Sequence, residues 1–289
     1  MQVIRLAPNV LSKVPGARSP FAPCDTFSPM TIVNPAVRRR AASAWKWSAS
    51  IGLHEVAVVV VSFLIYFLIR GAVIDRAGEA MERARDLIRL QGSLGLNHEV
   101  AMQAWILDHH WAIKVLNGIY FWGHMPVVVA FAVWLCLRNR STYTLTRNAF
   151  LASGAIAVVI YWALPVAPPR LVPEAGLVDT MALYDKVNYN AQQARAFVNE
   201  YAAVPSLHFG WSLLLGAVVA WEGRRSALLV ALGVTWPVAM FFSVILTGNH
   251  FILDAVAGGI VSFAGLGIAW GMRGWGRESR FGDGCPTRS

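Results

Sequence analysis

Cysteine and charge are what this chain has little of. Three cysteines, Cys24, Cys136 and Cys285, are spread through 289 residues. An odd number at such distances frames neither a disulfide scaffold nor a Cys-based zinc site. Charged side chains make up 14%, where soluble domains hold about 25%. Lysine is scarce as well, 4 against 21 arginines, which by association points to a GC-rich bacterial genome. The first 50 residues contain no apolar run resembling a signal-peptide core. There is no internal repeat and no second folded domain. A disulfide scaffold, a disordered chain and an ordinary soluble enzyme are thereby excluded.

What is present is apolar, 56% of the side chains, gathered in blocks of roughly 20 residues, the length that crosses a bilayer core. The reading is an all-α integral membrane protein, a six-transmembrane helix bundle. The spans fall near 51–69, 118–137, 148–165, 202–221, 226–246 and 251–272. Residues 1–50, with six prolines, read as a disordered cytoplasmic tail, 51–272 as the catalytic membrane domain and 273–289 as a cytoplasmic C-terminal tail. Between the first two spans, residues 77–94 set Met81, Ala84, Leu87 and Ile88 against Glu79, Glu82, Arg83, Asp86 and Arg89 at helical spacing, an amphipathic helix expected in the headgroup region.

The net charge of +9 reports topology, with no nucleic-acid partner expected. The N-terminus, the 138–147 and 222–225 loops and the C-terminus carry 16 basic residues against four acids; the opposite side carries nine against ten. By the positive-inside rule the basic set is cytoplasmic. The expected location is the bacterial plasma membrane with both termini inside. The two long connections, 70–117 and 166–201, are then extracytoplasmic, where long ordered loops usually have a task.

Three polar groups sit at span ends on that outer side. Pro168-Pro169-Arg170 closes the third span, Val204-Pro205-Ser206-Leu207-His208 opens the fourth, and Gly248-Asn249-His250-Phe251-Ile252-Leu253-Asp254 opens the sixth. Ionisable groups there are costly and need a reason. His250 and Asp254 stack on one helical face, so the carboxylate can accept the imidazole Nδ1–H and leave Nε2 as nucleophile or base. Ser206 and the N–H groups after Pro205 form a helix N-terminus, which favours anions. Arg170 adds a planar fork suited to phosphate oxygens, and His208 a second imidazole placed to protonate a leaving oxygen. These parts describe phosphoryl transfer through a phosphohistidine, with no cofactor and no metal required. A two-His, one-Asp zinc site is geometrically conceivable. A serine protease fits poorly, because Ser206 stands between Pro205 and Leu207 without flanking glycines. A transporter with a His/Asp proton relay would spread its polar residues through the membrane depth; these cluster at one face.

On those motifs the chain resembles the type 2 phosphatidic acid phosphatase superfamily over roughly residues 50–272, and within it the branch similar to inositol phosphorylceramide synthases. The resemblance implies that His208 in Pro-Ser-x-His is the leaving-group acid, that His250 and Asp254 in His-x-x-x-Asp are nucleophile and orienter, and that Arg170 binds phosphate. The superfamily's Lys seven residues before that Arg is Ala163 here, and its Ser-Arg pair reads Ser243-Val244. Asn249, Lys186 and Arg195 are candidates to replace the missing cations. The wording Ala-Pro-Pro-Arg, Pro-Ser-Leu-His-x-Gly-Trp and Thr-Gly-Asn-His is similar to the inositolphosphotransferase-like branch. A lipid phosphatase using water, and a transferase using a polyol, share this constellation.

Asn117, Tyr120 and His124 follow i, i+3, i+7 near the outer end of the second span, and either line a headgroup pocket or pair internally. Asp179 and Thr180 are further headgroup candidates. His54 and Glu55, near the inner end of the first span, read as structural or interfacial. His98, His109 and His110, among Trp105 and Trp111, read as interfacial, and the 12 tryptophans mainly as span-end anchors.

Overall fold

An apolar stretch in lipid must satisfy its backbone internally, and the helix does so within one segment. The computed structural model describes residues 76–185 and 201–281, with side chains as far as Arg273, together with Gly52, Leu53 and Ala57, which are helical. The chain divides after Val56 into two units, and the helices below belong to the second. They are α1 (Ala77–Ser93), α2 (Glu99–Leu107), α3 (His110–Arg138), α4 (Arg140–Ala163), α5 (Thr180–Tyr184), α6 (Leu207–Glu222), α7 (Ala227–Leu246) and α8 (Ile252–Phe281). Two 3-10 turns, Pro169–Leu171 and Pro173–Ala175, follow α4. Among the described residues the only extended pairing is an isolated parallel bridge between Val166 and Ala202.

Four of these helices, α3, α4, α7 and α8 as far as Arg273, are long and apolar enough to cross a membrane. The expected first span, 51–69, falls almost wholly outside the described residues. The expected fourth is shorter than drawn. Residues 202–206 are an irregular entry containing the cis Val204–Pro205 bond, which leaves α6 with 16 residues, about 24 Å of helix. Exposed apolar side chains such as Val129, Val133, Leu228 and Ile260 run along the outsides of α3, α7 and α8, as a lipid-facing surface requires.

Two helices start earlier than hydropathy suggests. α4 begins eight residues before position 148 because Asn139 caps it, its Oδ1 accepting from the Thr142 N–H at 3.2 Å. Glu222, at the end of α6, accepts from Thr142 Oγ1 at 2.7 Å and from Asn139 Nδ2 at 3.1 Å, fastening this turn to its neighbour. α3 begins at His110 and contains one π turn, Ile119–Gly123.

The expected amphipathic helix is α1. Its apolar face is covered by protein: Ala80 and Ala84, with Met81, Leu87 and Ile88 beside them, pack on Val166, Ala167, Val172, Ala175, Ala203 and Phe251. The backbone joins in, as the Ala167 N–H donates to the Ala80 carbonyl at 3.0 Å. On its polar face Glu79 is bound by Arg76 and Arg83, which hold its carboxyl below the usual carboxylate range, Arg76 foremost. Within the expected 70–117 connection, α1 is therefore packed on the bundle.

Small residues bring the long helices together, as in membrane bundles generally. A Cβ on Gly216 of α6 would lie 2.3 Å from the Gly233 carbonyl oxygen of α7, and one on Gly265 of α8 would lie 2.6 Å from that of Ala149 in α4. The tightest approach joins α8 to the start of α6. A Cβ on Gly258 would stand 2.1 Å from the Ser206 carbonyl oxygen. This contact sets the distance between the two histidine-bearing motifs.

Candidate active site

The turn between α7 and α8 carries the first part of the site. Gly248 has φ +75°, a conformation costly for any residue with a Cβ. Its carbonyl accepts the Arg170 N–H at 2.9 Å, and the His250 N–H donates to the Val244 carbonyl at 3.0 Å. One backbone bond thus ties the Pro-Pro-Arg segment to the turn and another seats His250 over the end of α7.

His250 is buried. Its Nδ1 lies 2.9 Å from the Ala203 carbonyl oxygen and 3.4 Å from Asp254 Oδ2. A carbonyl only accepts, so Nδ1 carries the proton and the Nε2 lone pair is free. The expected Asp254 contact is present but is the longer of the two, because Asp254 Oδ2 also accepts the Phe251 N–H at 2.8 Å. The imidazole is oriented by a backbone carbonyl first and a carboxylate second.

His208 is the second residue of α6. Its ring centroid is 6.3 Å from that of His250, close enough for both to reach one phosphoryl group and too far to bond each other. Tyr120 stacks on it at 4.6 Å and His124 lies at 4.7 Å. Ser206 precedes α6 with its N–H donating to the Asp254 carbonyl at 2.9 Å. Its buried Oγ has no hydrogen-bond partner among the described residues.

Arg170 completes the arrangement. Its Nη1 donates to Asn249 Oδ1 at 2.6 Å, and Nε lies 3.5 Å from Asp179 Oδ2. Asn249 in turn donates through Nδ2 to Thr247 Oγ1 at 2.8 Å. The structure therefore brings Arg170, Asn249, Ser206, His208, His250 and Asp254 to one end of the bundle. The sequence profile of the PAP2 superfamily matches residues 85–268. The chain belongs to the PAP2 superfamily.

It is accordingly an enzyme of the phosphatase and phosphotransferase class, and a membrane protein for which a lipid-phosphate substrate is plausible. No curated protein and no solved structure matches the chain. The two superfamily cation positions absent from this PAP2 enzyme are now placed. Ala163 is exposed at the last residue of α4, and Val244 is fully buried beside Ile113, Met240 and Ile245. Of the candidate replacements, Asn249 holds Arg170, while Lys186 and Arg195 lie outside the described residues, as do His54 and Glu55.

The residues that the sequence left open divide. Asn117 pairs internally, donating to the Thr180 carbonyl and to Asp185 Oδ2 and accepting from Thr180 Oγ1 at 2.7 Å. Tyr120 and His124 face His208. Asp179 caps α5 through the Met181 and Ala182 N–H groups, so neither it nor Thr180 is idle. His98, His109 and His110 take no part in the cluster, and Trp105 and Trp111 are exposed.

Sequence reasoning missed three buried polar side chains of α1 and α2, Gln91, Glu99 and Gln103. Gln103 Nε2 donates to the carbonyls of Val178 and Leu246 while its Oε1 accepts the Val178 N–H, holding the 166–185 segment against the end of α7. Among the described residues no group of three His, Cys, Asp or Glu side chains is spaced to hold a metal ion.

Proposed function

We propose that this PAP2 enzyme transfers a phosphoryl-containing group from a phospholipid or lipid phosphate through a phosphohistidine at His250, in the manner of the inositolphosphotransferase-like branch. His250 Nε2 attacks phosphorus, the bond to the leaving oxygen breaks, and His208 gives that oxygen its proton. The second nucleophile then attacks the phosphohistidine as His208 takes back a proton and the N–P bond breaks. Nδ1–H, held by Ala203 and Asp254, shares the positive charge that grows on the imidazole. Arg170 meets the equatorial oxygens, where negative charge spreads in the transition state. The α6 N-terminus adds backbone N–H groups at the same place.

The observation that carries this reading is the pair of imidazoles 6.3 Å apart, one with Nδ1 tied and Nε2 free. The excess of basic residues on the opposite loops supports an extracytoplasmic site with cytoplasmic termini. The test is incubation of the purified protein with phosphatidylinositol and with a panel of lipid phosphates in the presence of a polyol acceptor, followed by chromatographic separation of products and trapping of phosphoenzyme by an alkaline denaturing quench. Transfer of a phospho-headgroup to a polyol is expected. Release of inorganic phosphate alone would make the enzyme a simple lipid-phosphate phosphatase, and turnover with no acid-labile phosphoenzyme would overturn the mechanism.

A further inference from the structure

Helix α8 starts two residues after His250, and the N–H groups at its start have no partner inside the helix. All three at its start are taken by side chains. Phe251 donates to Asp254 Oδ2 at 2.8 Å, Ile252 to Glu99 Oε1 at 3.1 Å, and Leu253 to Gln91 Oε1 at 3.0 Å. Gln91 Nε2 closes the set by donating to Glu99 Oε1 at 2.7 Å and lies 3.4 Å from Asn97 Oδ1. Gln91 and Glu99 are almost wholly buried, at 1% and 4% exposure, so these bonds are not in exchange with bulk water.

We infer that Glu99, locked by Gln91, is a positioning residue for the nucleophile: helices α1 and α2 grip the N-terminus of α8 and thereby fix where His250 stands. Three features support this over simple packing. The grip is on successive backbone donors, which sets the axial position of the helix as no apolar contact can. A carboxylate is the strongest acceptor for N–H groups at the positive end of a helix dipole. The two gripping side chains come from different helices and bond each other, so either alone is incomplete. His250 is one residue from Phe251 and takes its own orientation from Ala203 and Asp254. A displacement of α8 would therefore detune attack on phosphorus without removing any group that touches substrate. The inference rests on His250 being the nucleophile.

The test uses the full-length enzyme in detergent, with turnover normalised to active sites counted by phosphoenzyme trapping. Glu99→Ala is expected to lower kcat per trapped site at least about tenfold with KM within about twofold, since small misplacements at a reacting centre are costly. Glu99→Gln keeps an acceptor and should stay within about threefold of wild type. Gln91→Glu opposes two carboxylates and should be as damaged as Glu99→Ala; the exchange Gln91→Glu with Glu99→Gln restores one amide and one carboxylate and should recover most of the rate. Should Glu99→Ala fail to fold, the exchanged pair against Gln91→Glu decides. Unchanged per-site kcat in Glu99→Ala and Gln91→Glu, or loss of trapped sites alone, would reduce the pair to a stability role and overturn the inference. Full activity in His250→Ala would instead overturn the functional reading beneath it.

Discussion

Two helix N-termini meet at this site, and they are finished differently. At α8 the orphan donors of Phe251, Ile252 and Leu253 are taken by Asp254, Glu99 and Gln91. At α6 the residue in the N-cap position, Ser206, makes no side-chain cap, and its buried Oγ has no hydrogen-bond partner among the described residues. A closed end is rigid and has nothing left to offer a ligand. An open end keeps its donors and its partial positive charge for an anion. The division suits the proposed chemistry, in which the nucleophile stands at the closed end and the phosphate oxygens lie toward the open one.

The sharpest way to break this contrast is His250→Ala, which should abolish turnover and the acid-labile phosphoenzyme, measured by quench after labelling with a phosphate-labelled lipid. Next in size, His208→Ala should slow substrates with alkyl leaving groups by about 10²–10⁴-fold while sparing an activated aryl phosphate, because a good leaving group needs little protonation. Equal losses on both would give His208 a phosphate-holding role. Arg170→Ala should cost at least about 100-fold in turnover, the scale of a lost preorganised donor, and Arg170→Lys should fall between; a near-normal rate for the alanine variant would place the phosphate elsewhere. Gly258→Ala tests how the two ends are held together. Its methyl must push the start of α6 away, so a stability loss of about 1–3 kcal/mol is expected, as for other overpacked contacts, read as a lower thermal midpoint in detergent. An unchanged midpoint would mean that the two motifs can part without cost. An arginine at Val244 offers no substitute for Arg170, since a guanidinium would be buried among Ile113, Met240 and Ile245.

The open end was legible in the sequence and the closed one only in part. Histidine, arginine and aspartate at span ends are costly in lipid, so Arg170, His208, His250 and Asp254 stand out by chemical type and order. Gln91 and Glu99 sit in an ordinary polar connection, and their partners are backbone N–H groups about 150 residues away, an interaction that leaves no local pattern. The Ala203 carbonyl has no letter at all. Hydropathy found the apolar centres of α3, α4, α7 and α8 but not the polar first turns of α4, because a cap such as Asn139 extends a helix without adding apolar residues. Amphipathic spacing marked α1 as a helix but did not tell that its apolar face meets protein.

The π turn of α3 bears on which sequence changes the enzyme can tolerate. Residues seven apart in a regular helix point the same way, at about 100° per residue, which is why Asn117 and His124 looked like one stripe. Instead Asn117 meets Thr180 and Asp185 while His124 meets His208. The wide turn works as a phase shifter, spending one residue to rotate the outer part of the helix against the inner. Loss of a single codon between 119 and 123 would return the ladder to register and swing one part by about 100°. Either the brace on Asn117 or the contact with His208 would then be lost, whichever amino acids remained. Along this helix, length is under tighter constraint than residue identity.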